Sequence, residues 1–204
     1  MTEPAPASGS EECNMYLFVK RAYRSEKENT DILVNRSLDK LKEYTSRRQD
    51  AYPVGEVLRT DRGKPYFKGG KVIFSVSHSG DMWVCLMGMT EKDLSLGVDI
   101  QQIRESRYKE LAGRYFSAVE KELAGQTAPE REQKERFFVI WTEKEACGKA
   151  LGTGIGKSLL AEDTEAVCKR HGMVLRRIDA AEGYACSCCV PGEMAGEEII
   201  IREI

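Results

Sequence analysis

The 204 residues carry 31 basic and 33 acidic side chains, a net charge of −2 and 41% hydrophobic content. That balance argues against a general nucleic-acid binder, which would be more basic, and no apolar run approaches the ~20 residues of a membrane span. The hydrophobic fraction suits one compact domain, or two small halves that share a core. In chain order, MTEPAPASGSEE has neither a basic region nor an apolar segment, so residues 1–13 are expected to be a flexible lead-in and not a secretory signal. MYLFVK, from Met15, reads as a first strand. A helix is predicted over about Asn29 to Tyr44, with Ile32, Leu33, Leu38 and Leu41 apolar and Asp31 near its start. DRGKPYF precedes a strand ending in FSVSHSG; MWVCLMGM and LSLGVDIQQI are the next strands, separated by TEKD.

SAVEKELAG opens on Ser117 and carries Glu120 three residues later, a capping-box signature. GQTAPEREQKER reads as a charged connector loop, followed by a strong helix from about Glu132 to Leu151. Strands return near MVLRRI, YACSCCV and EEIIIREI. Strand, helix and strands thus occur twice, although the letters do not repeat clearly. The predicted class is α+β: two similar halves, residues 14–98 and 99–204, each with a long helix packed on a small, mainly antiparallel sheet.

Seven cysteines make an odd count in a chain of this size, so reduced, mostly buried thiols in a cytoplasm are expected. Cys186, Cys188 and Cys189 cluster in YACSCCV. Tyr184, Cys186, Cys188 and Val190 alternate onto one strand face, where cysteine packs as a small hydrophobe. No second CxxC pair, nor a histidine at finger spacing, completes a zinc site, so a core strand is the expectation.

Four stretches could carry chemistry, and each also has a plain reading. In LGVDIQQ, alternation sends Val98 and Ile100 to one side and Asp99 and Gln101 to the other. A carboxylate and an amide oxygen side by side can hold a hard cation such as Mg²⁺; a polar strand face exposed to water does as well. In WTEKEACGKALGTGIG, Trp141, Glu145 and Lys149 form one helical file. Glu145 could complete a metal site and Lys149 could meet phosphate, or the two could be an exposed ion pair. Lys144 lies near the apolar stripe of Phe137, Ile140, Cys147 and Leu151, so it must snorkel or find an anion. Gly152, Gly154 and Gly156 could end the helix or admit a ligand to the backbone. In FSVSHSG, Ser77, His78 and Ser79 could donate to phosphate oxygens beside Gly80, and in GKPYF Lys64 stands beside Pro65, though either stretch could be a plain turn.

The order of these blocks is more specific than any one of them. FSVSHSG, then GVDI about twenty residues on, then WTEKEACGK with a trailing GTG, resembles the Sfp-type 4′-phosphopantetheinyl transferases. Asp99 and Glu145 are 46 residues apart, which fits that pattern, and GKPYF belongs to it as well. The resemblance runs from about Gly63 to Gly156.

It implies an enzyme that moves the phosphopantetheine arm of coenzyme A onto a serine of an acyl or peptidyl carrier protein, releasing adenosine 3′,5′-bisphosphate. It also implies the two-halved fold of that family, with coenzyme A between the halves. By position Asp99 and Glu145 match the family's magnesium carboxylates, while Gln101 stands where many members carry a second acid. Lys149 matches a pyrophosphate-contacting lysine and Lys144 the other motif lysine. Ser77 and His78 match residues that hold phosphates of coenzyme A, and Lys64 a lysine near the nucleotide. The base that deprotonates the incoming serine stays open between Glu145 and a water on the metal. Lys20, Arg21, Arg24 and Lys27 are candidates for the 3′-phosphate. Arg104, Arg107, Lys109 and Arg114 could steer an acidic carrier, or form a solvated face. A monomeric cytoplasmic enzyme, with no nucleic-acid or membrane partner, completes the expectation. The competing readings are a non-catalytic coenzyme A or carrier-binding module of the same fold, supported by Gln101, and a cysteine-rich metal or redox protein.

Overall fold

Residues 15–45, 52–53, 56–69, 71–125 and 127–204 are described in a computed structural model; the expected lead-in over residues 1–13 lies outside them. The chain runs β1 (Met15–Lys20), α1 (Thr30–Tyr44), β2 (Val57–Arg59), β3 (Pro65–Phe67), β4 (Val72–Ser79), β5 (Met82–Met89), β6 (Gly97–Gln102), α2 (Tyr108–Tyr115) and α3 (Ala118–Leu123). It continues with α4 (Glu130–Ala150), α5 (Lys157–Ala161), α6 (Thr164–Arg170), β7 (Met173–Arg177), β8 (Tyr184–Pro191) and β9 (Ile199–Glu203). The result is a mixed α+β fold of small sheets and helices.

One sheet has the order β4-β5-β1-β9, a second has β6-β8-β7, and β2 and β3 form a short hairpin. Every pairing is antiparallel except β1 with β9. Burial explains the sequences of the central strands. MYLFV and MWVCLMGM are apolar throughout because both faces of the first sheet are covered. One face, with Phe18, Trp83 and Met87, packs on Leu33, Val34, Leu38 and Leu41 of α1. The other, with Leu17, Val84 and Leu86, meets Val98, Ile100, Cys186 and Cys188 of the second sheet. The outer face of that sheet carries α4, through Ala146, Cys147 and Cys189 at one end and Phe137, Phe138 and Ala185 at the other.

Local signals place most of these elements. The Asn29 side chain accepts from the amides of Asp31 and Ile32 and caps α1, and Ser117 with Glu120 forms the expected capping box of α3. Ile32 does not join the core: it is 67% exposed, and Val34 takes the buried place. Helix α4 starts at Glu130, so EREQKER is helical and not connector. Two acids in the first turn favour the macrodipole there, and the ion pairs Glu132–Arg136 and Arg131–Glu135 support it at i, i+4 spacing. The boundary expected between residues 98 and 99 falls inside β6, and β9 returns to pair with β1. The two expected halves are therefore interlocked. No helix among the described residues is long and apolar enough to cross a membrane.

Candidate active site

Alternation along β6 decides which side chains do chemistry. Val98 and Ile100 are fully buried between the two sheets, so Gly97, Asp99 and Gln101 face α4. The helix lies directly on this strand. A Cβ at Gly97 would stand 2.0 Å from the Ala146 carbonyl oxygen, which leaves room for glycine alone. That close approach sets the Glu145 and Lys149 side of α4 against Asp99.

Asp99 is 2% exposed and its carboxylate is well partnered. Its Oδ1 accepts from Ser77 Oγ at 2.6 Å and from Lys149 Nζ at 2.8 Å, and its Oδ2 from Gln101 Nε2 at 3.1 Å. Lys149 Nζ also donates to the carbonyls of Val98, at 2.9 Å, and Val76, at 3.2 Å. An ammonium has three donors, and all three are used. Glu145 differs. It is half-buried, and among the described residues it has no hydrogen-bond or ion-pair partner. Burial and the neighbouring Asp99 charge push its carboxyl up to about 7, with Lys149 opposing the shift. Asp99, Gln101, Glu145 and Lys149 are thus brought together, as read from the sequence.

The serines of FSVSHSG have a different job from the one expected. Ser75, Ser77 and Ser79 point across to β6 and accept its amides: Val98 at 3.1 Å, Ile100 at 3.4 Å and Gln102 at 3.0 Å. Ser77 is buried between Asp99 and Ile100, so its hydroxyl is not free for a phosphate. His78, one residue on, points the other way. It is exposed, and its ring lies 5.3 Å from that of Tyr23, centroid to centroid. Tyr23 also donates its amide to the Asp81 carbonyl at 2.9 Å, so the loop after β1 runs beside the β4–β5 turn. Arg24 and Lys27 of that loop are exposed, whereas Lys20 pairs with Glu28 and Arg21 with Glu203, each at 3.6 Å.

Lys144 lies away from the site. It is fully buried against Glu120 at 2.8 Å, and its ammonium donates to the Leu159 carbonyl at 3.1 Å and the Glu162 carbonyl at 2.8 Å. Burial raises the Glu120 carboxyl, but Lys144, Thr164 and the Ser117 amide together hold it below its ordinary value. The lysine found its anion on α3, one of the two outcomes that its place on the apolar stripe required. Lys64 is also tied to the fold. Its ammonium bonds Ser95 Oγ, the Leu96 carbonyl at 3.1 Å and the Lys149 carbonyl at 2.6 Å, and burial pushes its pKa down to about 8.

Beside Lys149 opens a cleft of about 490 Å³, within the usual range for small-molecule sites. Arg62, Lys64, Ser75, Lys149, Gly152 and Gly154 are among its lining. Gly152, with φ +67°, ends α4, and Arg62 Nη1 donates to its carbonyl at 3.2 Å. Arg62 was missed in the sequence; its only signal was its place in the DRGKPYF turn beside Lys64. The three-cation rim suits a polyanion.

Comparison with known proteins follows this geometry. Residues 95–189 match the model of the 4′-phosphopantetheinyl transferase superfamily. The chain is 36% identical over 101 residues to the 4′-phosphopantetheinyl transferase HetI of Nostoc sp., covering 47% of this chain and 41% of that protein. It is 29% identical over 140 residues to the 4′-phosphopantetheinyl transferase gsp of Aneurinibacillus migulanus, covering 64% of this chain and 56% of the other. Against the 4′-phosphopantetheinyl transferase psf-1 of Bacillus pumilus it is 32% identical over 139 residues, covering 63% and 57%. The matches thus span about half the length of these relatives. The segment that holds Asp99, Glu145 and Lys149 is the one that matches the 4′-phosphopantetheinyl transferase superfamily.

Proposed function

We propose that the chain is an Sfp-type transferase that moves the 4′-phosphopantetheine arm of coenzyme A to a serine of an apo acyl or peptidyl carrier protein. The observation that carries this reading is the unpartnered Glu145 beside Asp99, at the edge of a cationic cleft and within the matched segment. The donor set fits Mg²⁺, which prefers carboxylate and amide oxygens. Asp99 and Glu145 would hold the ion, with Gln101 adding an amide oxygen, and a cation would offset the burial and the Asp99 charge that raise Glu145. When bound, the ion supplies positive charge against the pyrophosphate.

The residues of the chain then divide the work. Lys149 fixes Asp99 and adds charge at the cleft. Arg62 and Lys64 line the same cleft. His78, with Arg24 and Lys27 on the adjoining loop, suits the more distant 3′-phosphate. Ser77 acts as a positioning residue through Asp99. The carrier serine oxygen bonds the β-phosphorus, the bridging P–O bond breaks, and adenosine 3′,5′-bisphosphate leaves with the electron pair. The serine proton passes to Glu145 or to a water beside it. A pseudo-twofold relation between the halves belongs to the same reading; one long helix against each larger sheet supports it. Among the described residues six cysteines are free and buried, which accords with a reducing cytoplasm.

The test is mass spectrometry of apo carrier proteins incubated with the protein, coenzyme A and Mg²⁺. A gain of the phosphopantetheine mass is expected, and Asp99→Ala and Glu145→Ala should each lose it by more than tenfold while remaining folded. Near-wild-type turnover by either variant at low magnesium refutes the metal assignment. Binding of coenzyme A without any transfer would favour the non-catalytic module that Gln101 suggests.

A further inference from the structure

Three cysteines from three separate elements converge at one point. Cys147 of α4, Cys168 of α6 and Cys189 of β8 have all their sulfurs within 4.8 Å of one another. The Cys168 sulfur lies 3.3 Å from that of Cys147 and 3.6 Å from that of Cys189. All three are buried, yet Cys168 also lines a separate open cleft of about 790 Å³ whose walls include Glu143, Lys169, Met173 and Leu175. The site therefore has a path to solvent.

Cysteines that merely fill a core need no such convergence. Cys85, Cys186 and Cys188 are also free and buried, and they pack among aliphatic and aromatic side chains in the other two cores. The spacing of the cluster is more telling. A tetrahedral ion held at ~2.3 Å from sulfur sets sulfur–sulfur edges of about 3.8 Å, close to the separations seen. The sequence hid the site because its ligands are 21 residues apart in each step, Cys147 to Cys168 to Cys189, with no CxxC pair among them. The eye falls instead on Cys186, Cys188 and Cys189, which alternation splits between two faces of β8.

We propose that Cys147, Cys168 and Cys189 form a site for one thiophilic divalent ion of the zinc class, apart from the Asp99 site. On binding, three metal–sulfur bonds form and the three thiol protons pass to solvent. The ion would pin α4 to α6 and β8. Cys147 lies two residues from both Glu145 and Lys149, so the pinning would fix the helix that carries them.

The test uses the full chain, reduced and anaerobic, titrated with Co²⁺ as the probe. One equivalent should produce intense near-ultraviolet thiolate-to-cobalt bands and tetrahedral visible bands. Zn²⁺ should displace it and Mg²⁺ should not. The bands should vanish in Cys168→Ser and Cys189→Ser, and persist in Cys85→Ser, Cys186→Ser and Asp99→Ala; the last keeps this result independent of the transfer reading. A second measurement needs no cysteine variant: Zn²⁺ should slow maleimide labelling of Cys168 in the wild-type protein at least tenfold, as mapped by peptide mass spectrometry. Absence of thiolate bands in folded wild-type protein overturns the proposal. So does persistence of the bands in folded Cys168→Ser, or labelling of Cys168 unchanged by zinc.

Discussion

Glu145 and Glu120 are both carboxylates near a lysine, and the sequence gives no sign of how differently they are held. Glu120 is buried with Lys144, Thr164 and the Ser117 amide as partners. Removing one side of such a pair strands a buried charge, so Glu120→Ala should cost about 3–5 kcal/mol, read as a lower denaturant midpoint. Replacing both, with Lys144→Met, should recover most of that. Glu145 has no partner among the described residues, and its carboxyl is raised to about 7, above the ordinary 4.5. A carboxyl raised on folding stabilises the fold below its unfolded value and loses that contribution as pH climbs through its folded value. Metal-free protein should therefore lose stability between about pH 4.5 and 7. Glu145→Gln should raise the melting temperature at pH 8 and change it little at pH 4, and under the transferase reading transfer should be lost. Equal shifts at both pH values would overturn this account. What was legible here was the file of Glu145 and Lys149 on one side of the helix, and the need of Lys144 for an anion or a route to water. The partner of Lys144 was not, because Glu120 is 24 residues away in sequence and meets it only through the packing of α3 on α4.

At the scale of elements, periodicity served well where an element has one buried face or two. β1, β5, α1 and most of α4 were legible for that reason. The short hairpin of β2 and β3 and the helices α5 and α6 were not, since three to seven residues give no period to read. The partners of the β4 serines were not legible for a subtler reason. Alternation placed Ser75, Ser77 and Ser79 together and apart from His78, but it could not show that the facing surface was a strand with open amides. Gly97 is the hinge of the assembly of β6 and α4. Gly97→Ala drives a methyl into the Ala146 carbonyl. Overpacking of this kind costs about 1–3 kcal/mol, and here it must lift the helix from Asp99. The expected outcome is a lower unfolding midpoint and, under the transferase reading, transfer reduced at least tenfold. A variant as stable and active as wild type would show that the helix can move without consequence.

For the whole molecule, the layers read α1, sheet, sheet, α4, and the candidate site lies where β4, β6 and the end of α4 meet. Charge around that site should govern encounter with a partner. Arg107 at the N-cap of helix α2 and Arg114 within it are both exposed, seven residues apart, with Arg104 just before them; Arg107 lies 3.6 Å from Glu110 in an exposed pair. Lys109 is engaged by Glu130 at 3.0 Å and drops out of the set. Under the transferase reading, Arg107→Glu with Arg114→Glu should raise the KM for the carrier several-fold, leave that for coenzyme A unchanged, and flatten the salt dependence. An equal rise for both substrates would point to a damaged site instead. The way the two sheets are joined has its own consequence. β4 and β6 share no continuous backbone ladder; serine hydroxyls and the Lys149 ammonium stitch them. A backbone ladder can only be kept or melted, but hydroxyls turn about a single bond and exchange partners with water one at a time. The strand that carries Asp99 is thus fastened like a garment by separate buttons, and the seat of that carboxylate can be altered by one serine without unpicking either sheet.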